Sequence, residues 1–79
     1  MNLDNFELAV MGQLKRTPEV FDGDLVCKSG RDGLVKRGLA QRVRKFEDGP
    51  YRGCQINELT AEGREVAAKL MDHENSTRN

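Results

Sequence analysis

A chain of 79 residues, 37% hydrophobic and 33% charged, allows one domain with a small core, since chains of this size bury only about 60 to 65% of their unfolded surface. Thirteen basic residues balance thirteen acidic ones, so net charge alone points neither to nucleic acid nor to a membrane surface. With three Phe, one Tyr and no Trp, the core must rest on aliphatic packing.

From Asp4 to Arg16 the pattern is helical. Phe6, Val10 and Leu14 recur every four residues, and Leu3, Ala9 and Met11 widen the stripe. Asp4 and Glu7 near the start and Lys15 and Arg16 near the end follow the order that the helix dipole favours. Thr17-Pro18 closes the helix, because a residue before proline is pushed away from helical backbone angles. Val20 and Phe21 are expected in the core. A short second helix follows through Leu25-Val26-Cys27, capped by Asp22 or Asp24.

The stretch KSGRDGLVKRGL predicts a third helix. Ser29 and Asp32 have the spacing of a reciprocal cap, and Gly38 supplies the left-handed stop, with Leu39 packing back on the helix it leaves. At 100° per residue, Leu34, Val35 and Leu39 fall on one side and Gly30, Gly33, Lys36 and Arg37 on the other. Arg31 projects inward, where it would pair with an acid such as Asp24 or Glu58 or else meet an outside partner. Two β-compatible runs, LAQRVRKFE and YRGCQINEL, flank Asp48-Gly49-Pro50 and predict a hairpin, with Tyr51, Cys54 and Ile56 covering the helices. Thr60 caps a last helix from Ala61 to Met71 that docks through Val66, Ala67 and Leu70. The domain therefore spans residues 1–71, and 72–79 read as a disordered tail containing the lone, solvated His73.

Charge is unevenly spread. Residues 28–52 carry eight bases against three acids, and the flanks carry five bases against ten acids. The molecule is expected to be a dipole with one basic surface. Cys27 and Cys54 are too few and too isolated for a zinc site or a disulfide framework, and no signal peptide or apolar run of membrane length precedes them. They read as reduced thiols of a cytoplasmic protein, although the spacing alone also permits a bridge between them. KSGRD lacks the strand and the glycine-lysine-hydroxyl order of a phosphate loop. Without a nucleophile-base pair or a metal-ligand cluster, the sequence predicts no enzyme, no cofactor and no metal.

The order of elements resembles a winged helix-turn-helix of the multiple-antibiotic-resistance regulator type. GRDGLVKRGLAQRV is similar to its third helix running into the first wing strand, and INELTAEGREVAAKL to its strand-to-helix junction; together they cover about two-fifths of the chain. The resemblance implies an α+β fold with three helices, a β-hairpin wing and a C-terminal helix. It also implies that the third helix enters a DNA major groove while the wing touches the adjacent backbone. Carried over by position, Lys36 and Arg37 lie on the exposed face of the reading helix, Arg42, Arg44, Lys45 and Arg52 line the wing strands, and Lys28, just before the helix, is a further candidate for DNA contact. Gly30 and Gly33, on the face expected to be outermost, offer nothing to base edges, and the tip Glu47-Asp48 is acidic. The expected function is a small DNA-binding regulator or a phage or mobile-element accessory protein, with double-stranded DNA as partner and no membrane role. The sequence also allows a homodimer, although the chain lacks the long terminal helices through which full-length members pair. The alternative is an interaction module that binds and inhibits a host protein complex, such as an anti-CRISPR or other anti-defence protein.

Overall fold

The computed structural model describes residues 2–72, so the expectations for His73 and the tail at 73–79 lie outside the described residues. The described residues are α+β, with three helices and a three-stranded antiparallel sheet. The first helix, α1 (Asn5–Arg16), opens on a capping box: the Asp4 carboxylate accepts from the Glu7 N–H at 2.7 Å and the Glu7 carboxylate from the Asp4 N–H at 2.9 Å. It ends at Thr17, which is extended as its neighbour Pro18 requires. Val10, Met11 and Leu14 are buried as the stripe predicts, but Phe6 is 62% exposed.

Where a second helix was expected, the chain does something else. Val20–Phe21 form a short strand, β1, and Asp22–Asp24 make a single 3₁₀ turn; Leu25 to Cys27 are irregular. Pairing of Val20 with Asn57 and of Phe21 with Ile56 draws this segment into the sheet and leaves too few residues for a helix before the next element.

That element, α2 (Lys28–Lys36), begins two residues earlier than the Ser29 cap would place it. Cys27 is the N-cap and provides no side-chain hydrogen bond to it. Ser29 lies within the first turn, its hydroxyl 3.2 Å from the Cys27 sulfur, and Asp32 pairs with Arg31 instead of reaching back. The end matches the expectation. Gly38 takes φ +78°, and the N–H groups of Gly38 and Leu39 donate to the carbonyls of Val35 and Leu34 at 3.0 and 2.9 Å. This double bond pattern satisfies two carbonyls that the helix end would otherwise orphan, and Leu39 folds back into the core.

The face of α2 is rotated from the one expected. Gly30, Arg31 and Leu34 are buried while Val35 is 39% exposed. A Cβ on Gly30 would lie 2.6 Å from the carbonyl carbon of Phe6 and 3.0 Å from Val10 Cγ2. One on Gly33 would overlap the Glu7 side chain, 3.0 Å from its Cδ. The two glycines are therefore the contact by which α2 lies close on α1, not part of an outer face.

After Leu39 come β2 (Ala40–Arg44) and β3 (Gln55–Leu59), with β3 between β1 and β2. A ten-residue connection, 45–54, joins them in place of a tight turn at Asp48-Gly49. Register assigns the faces. Val20, Asn57 and Arg42 are partners, as are Ala40 and Leu59, and this face meets the helices. Val20, Ala40 and Leu59 there join Val10, Met11, Leu14, Leu34, Leu39 and Ala67 in the core. Phe21, Ile56 and Val43 lie on the opposite face. None of the three residues expected to cover the helices does so: Ile56 is buried, but on this opposite face, and Cys54 and Tyr51 are exposed.

Thr60 caps α3 (Ala61–Ala67), its hydroxyl accepting from the Gly63 N–H at 3.0 Å and donating to the Gly38 carbonyl at 2.8 Å. A π-type turn, Ala68–Asp72, continues it. Ala67 is buried and Val66 packs on the core, but Leu70 is 44% exposed and Met71 takes the packing role expected of it.

Candidate nucleic-acid interface

The seven cations expected to meet DNA divide into two groups. Arg37, at the end of α2, turns back on α1: its Nε donates to Glu7 Oε2 at 2.8 Å and its Nη2 to the Asn2 carbonyl at 3.1 Å. Glu7 is 4% exposed. The Arg37 hydrogen bond, helped by the Asp4 N–H, outweighs burial and holds the Glu7 carboxyl below its ordinary value, while Glu7 raises the Arg37 guanidinium above its own. Arg42 is ion-paired with Asp22, and Lys45 with Glu19. These three cations fasten the structure together.

The other four are exposed. Among the described residues, Lys28, Lys36, Arg44 and Arg52 have no carboxylate partner. Lys28 and Lys36 stand at the two ends of α2, and with Ser29, Asp32 and Val35 they make up its exposed side. Arg44 ends β2, and Arg52 lies in the 45–54 connection; the two line one cleft of about 240 Å³ with Phe46, Glu47 and Gly53. Glu47 and Asp48, also exposed, place negative charge at the tip.

Arg31 is inward, as its position in the helix predicts, and only 6% exposed. Its partners are not Asp24 or Glu58. Its Nη1 donates at 3.1 Å to both Asp22 Oδ1 and Asn57 Oδ1, and its Nε donates to Asp32 at 2.7 Å. Asn57, fully buried, gives its amide hydrogens to the Val20 carbonyl at 3.0 Å and to Asp22 at 2.7 Å. Burial alone would push the Asp22 carboxyl up, but bonds from Arg42 and Asn57 and the two guanidinium charges bring it below its ordinary value. Asp22 thus ties the 3₁₀ turn to α2, β2 and β3. Among the described residues no buried side-chain polar atom is left without a partner.

Sequence reading missed an aromatic stack. Phe21 from β1 lies 5.3 Å from Tyr51 and 6.0 Å from Phe46 between ring centroids, at interplanar angles of 25° and 27°; Phe46 and Tyr51 are 5.6 Å apart and tilted by 49°. Tyr51 remains 52% exposed. Nothing in the local pattern announces this cluster, because its members come from positions 25 or more residues apart as well as from opposite limbs of the connection.

Comparison with protein-family models, curated proteins and solved structures returns no match. No described helix is long and apolar enough to cross a membrane. Among the described residues no group of three or more His, Cys, Asp and Glu side chains converges on a metal position. Both cysteines are free, Cys54 exposed and Cys27 half-buried, where the Ser29 hydroxyl and the backbone N–H groups of Gly30 and Ser29 lower its thiol from the ordinary value.

Proposed function

We propose that this chain is a small winged-helix protein of the cytoplasm that binds duplex DNA through phosphates, as a transcriptional regulator or a phage or mobile-element accessory protein. The observation that carries the reading is the placement of four exposed cations without carboxylate partners, Lys28 and Lys36 at the ends of α2 and Arg44 and Arg52 at the base of the hairpin. The succession of α1, 3₁₀ turn, α2, hairpin and α3 supports α2 as the groove-facing element and residues 45–54 as the wing.

Arg37, Arg42 and Lys45, held by Glu7, Asp22 and Glu19, serve the fold in this reading. Sequence discrimination is weak, because on the exposed side of α2 Asp32 is held by Arg31, Val35 has no hydrogen bond to give, and Ser29 offers a hydroxyl that can donate to or accept from any base. Binding should be uniform across sequences and steeply salt-dependent.

The test is fluorescence anisotropy with labelled random duplex at low and moderate salt. Wild type should bind at micromolar concentration or better and weaken sharply as salt rises, and the double variant Lys36→Ala/Arg44→Ala should weaken equally for all sequences. Absence of salt-sensitive binding would remove the reading and leave its alternative, a module that docks on and inhibits a host protein complex. One observation favours that second reading: exposed Tyr51 packs on Phe46, which lines the cleft with Arg44 and Arg52, and Tyr and Arg are residue types that anchor protein interfaces.

A further inference from the structure

The wing carries more than charge. Tyr51 tops a stack whose other members, Phe21 and Phe46, brace its ring from two directions, and half of the residue is open to solvent. Phe46 links this stack to the cations, since it also lines the cleft that holds Arg44 and Arg52. Two turns make the arrangement possible: Gly49 at φ +86° and Gly53 at φ +81° reverse the chain, and the Gly53 N–H donates to the Phe46 carbonyl at 3.2 Å. An aromatic face fixed by packing next to unpaired cations is the pairing that single-stranded nucleic acids use, with bases on rings and phosphates on guanidinium groups.

From this juxtaposition we infer that the wing takes an unpaired nucleotide, its base stacked on Tyr51 and its flanking phosphates on Arg44 and Arg52. The inference rests on the phosphate-binding reading and extends it: α2 and the wing cations meet duplex phosphates, and where a strand has left the stack, as at an end, a gap or a melted step, the wing also takes its base on Tyr51. A base needs only a π-face, so the site is tolerant of sequence. Glu47 on the same cleft opposes phosphate and sets a limit on affinity. Its replacement, Glu47→Gln, tightens single-strand binding.

The chain contains one Tyr and no Trp, so Tyr51 is its own reporter. Titrating the protein with a short oligothymidylate should quench tyrosine emission, whereas a blunt random duplex leaves it nearly unchanged. Tyr51→Ala should bind oligothymidylate about tenfold more weakly, the equivalent of about 1.4 kcal/mol, with its duplex affinity retained. Tyr51→Phe keeps the ring and should bind the single strand within about twofold of wild type. Emission that stays flat while duplex still binds overturns the wing assignment and leaves the phosphate reading standing, with the wing face then open to a protein partner. Equal losses for duplex and single strand in Tyr51→Ala overturn it as well. If neither nucleic acid binds in a salt-sensitive manner, both readings fail together.

Discussion

Gly63 is the position at which the packing of α3 is most sharply tested. In a helix, replacing Gly by Ala ordinarily stabilises by up to about 1 kcal/mol. Here the added Cβ would lie 2.8 Å from the carbonyl carbon of Leu39, closer still to its oxygen, and 3.2 Å from its Cα. Restoring an ordinary contact of 3.4 Å to that carbon alone needs a shift of about 0.6 Å, and clearing the nearer oxygen needs more, in backbone that other bonds already fix. Leu39 is fully buried, its carbonyl accepts from the Thr60 N–H at 3.1 Å, and its own N–H closes α2. Overpacking against a flexible neighbour costs about 1 to 3 kcal/mol, and backbone belongs at the upper end; subtracting the helix gain leaves a net loss of about 2 kcal/mol. For a domain of this size that lowers the melting temperature by about 8 to 16 °C, measured by circular dichroism, with the urea midpoint falling in step. Gly23→Ala is the control, because no atom lies within 4 Å of its Cβ position; its stability should change by no more than about 0.5 kcal/mol. A Gly63→Ala protein as stable as wild type, or more so, would refute the placement of α3 against the α2–β2 junction.

Three further outcomes follow from the polar contacts and the helix end. Asp22→Ala removes the acceptor shared by Arg31, Arg42 and Asn57 and should cost about 2 to 3 kcal/mol in urea denaturation, since Arg31 stays buried with less to pair with. Glu7 and Asp22 both have carboxyls below their ordinary values of 4.5 and 3.8, so the stability they add is complete above those values and is lost as pH falls through the lower folded ones. Urea midpoints should therefore hold from neutral pH to about 5 and drop below about 4.5, and Glu7→Gln should flatten that drop. Gly38→Ala forces a side chain into φ +78° and should cost about 1 to 2 kcal/mol, with faster amide exchange at Leu39.

Local chemistry was legible where it acted over a few residues. The Thr17-Pro18 stop, the Gly38 terminus and the Thr60 cap all lie within one turn of what they control, and each is found in the structure; Asp4 and Glu7, read only as acids that suit the helix dipole, form a capping box as well. Ser29 shows how the same rule misleads. Its spacing to Asp32 fits a cap, yet the helix starts at Lys28 and both side chains find other partners. Periodicity also misjudged glycine. Gly30 and Gly33 add nothing to an apolar stripe, but a missing side chain is what lets α2 approach the Phe6 carbonyl and the Glu7 side chain. Because that approach is made at the backbone of Phe6, its ring can stand outside the core.

The candidate site was legible only in part, since ion pairs join distant residues. Arg37 and Glu7 are 30 positions apart, Lys45 and Glu19 are 26 apart, and Arg42 and Asp22 are 20 apart. Composition shows an excess of bases in residues 28–52 but not which of them the fold consumes. Short-range pattern likewise cannot show that Phe46 and Tyr51, on opposite limbs of one connection, meet Phe21.

The slope of log affinity against log salt for random duplex DNA tests the central claim most directly, because it counts the phosphates met. Contacts from Lys28, Lys36, Arg44 and Arg52 give a slope near about −3.6, or about 150-fold weaker binding from 50 to 200 mM salt. Each of the four changed singly to Ala should reduce the slope by about 0.9, while Arg42→Ala and Lys45→Ala should leave it where it was. A slope that is flat in wild type, or that falls as much for the carboxylate-bound cations as for the four free ones, contradicts the account.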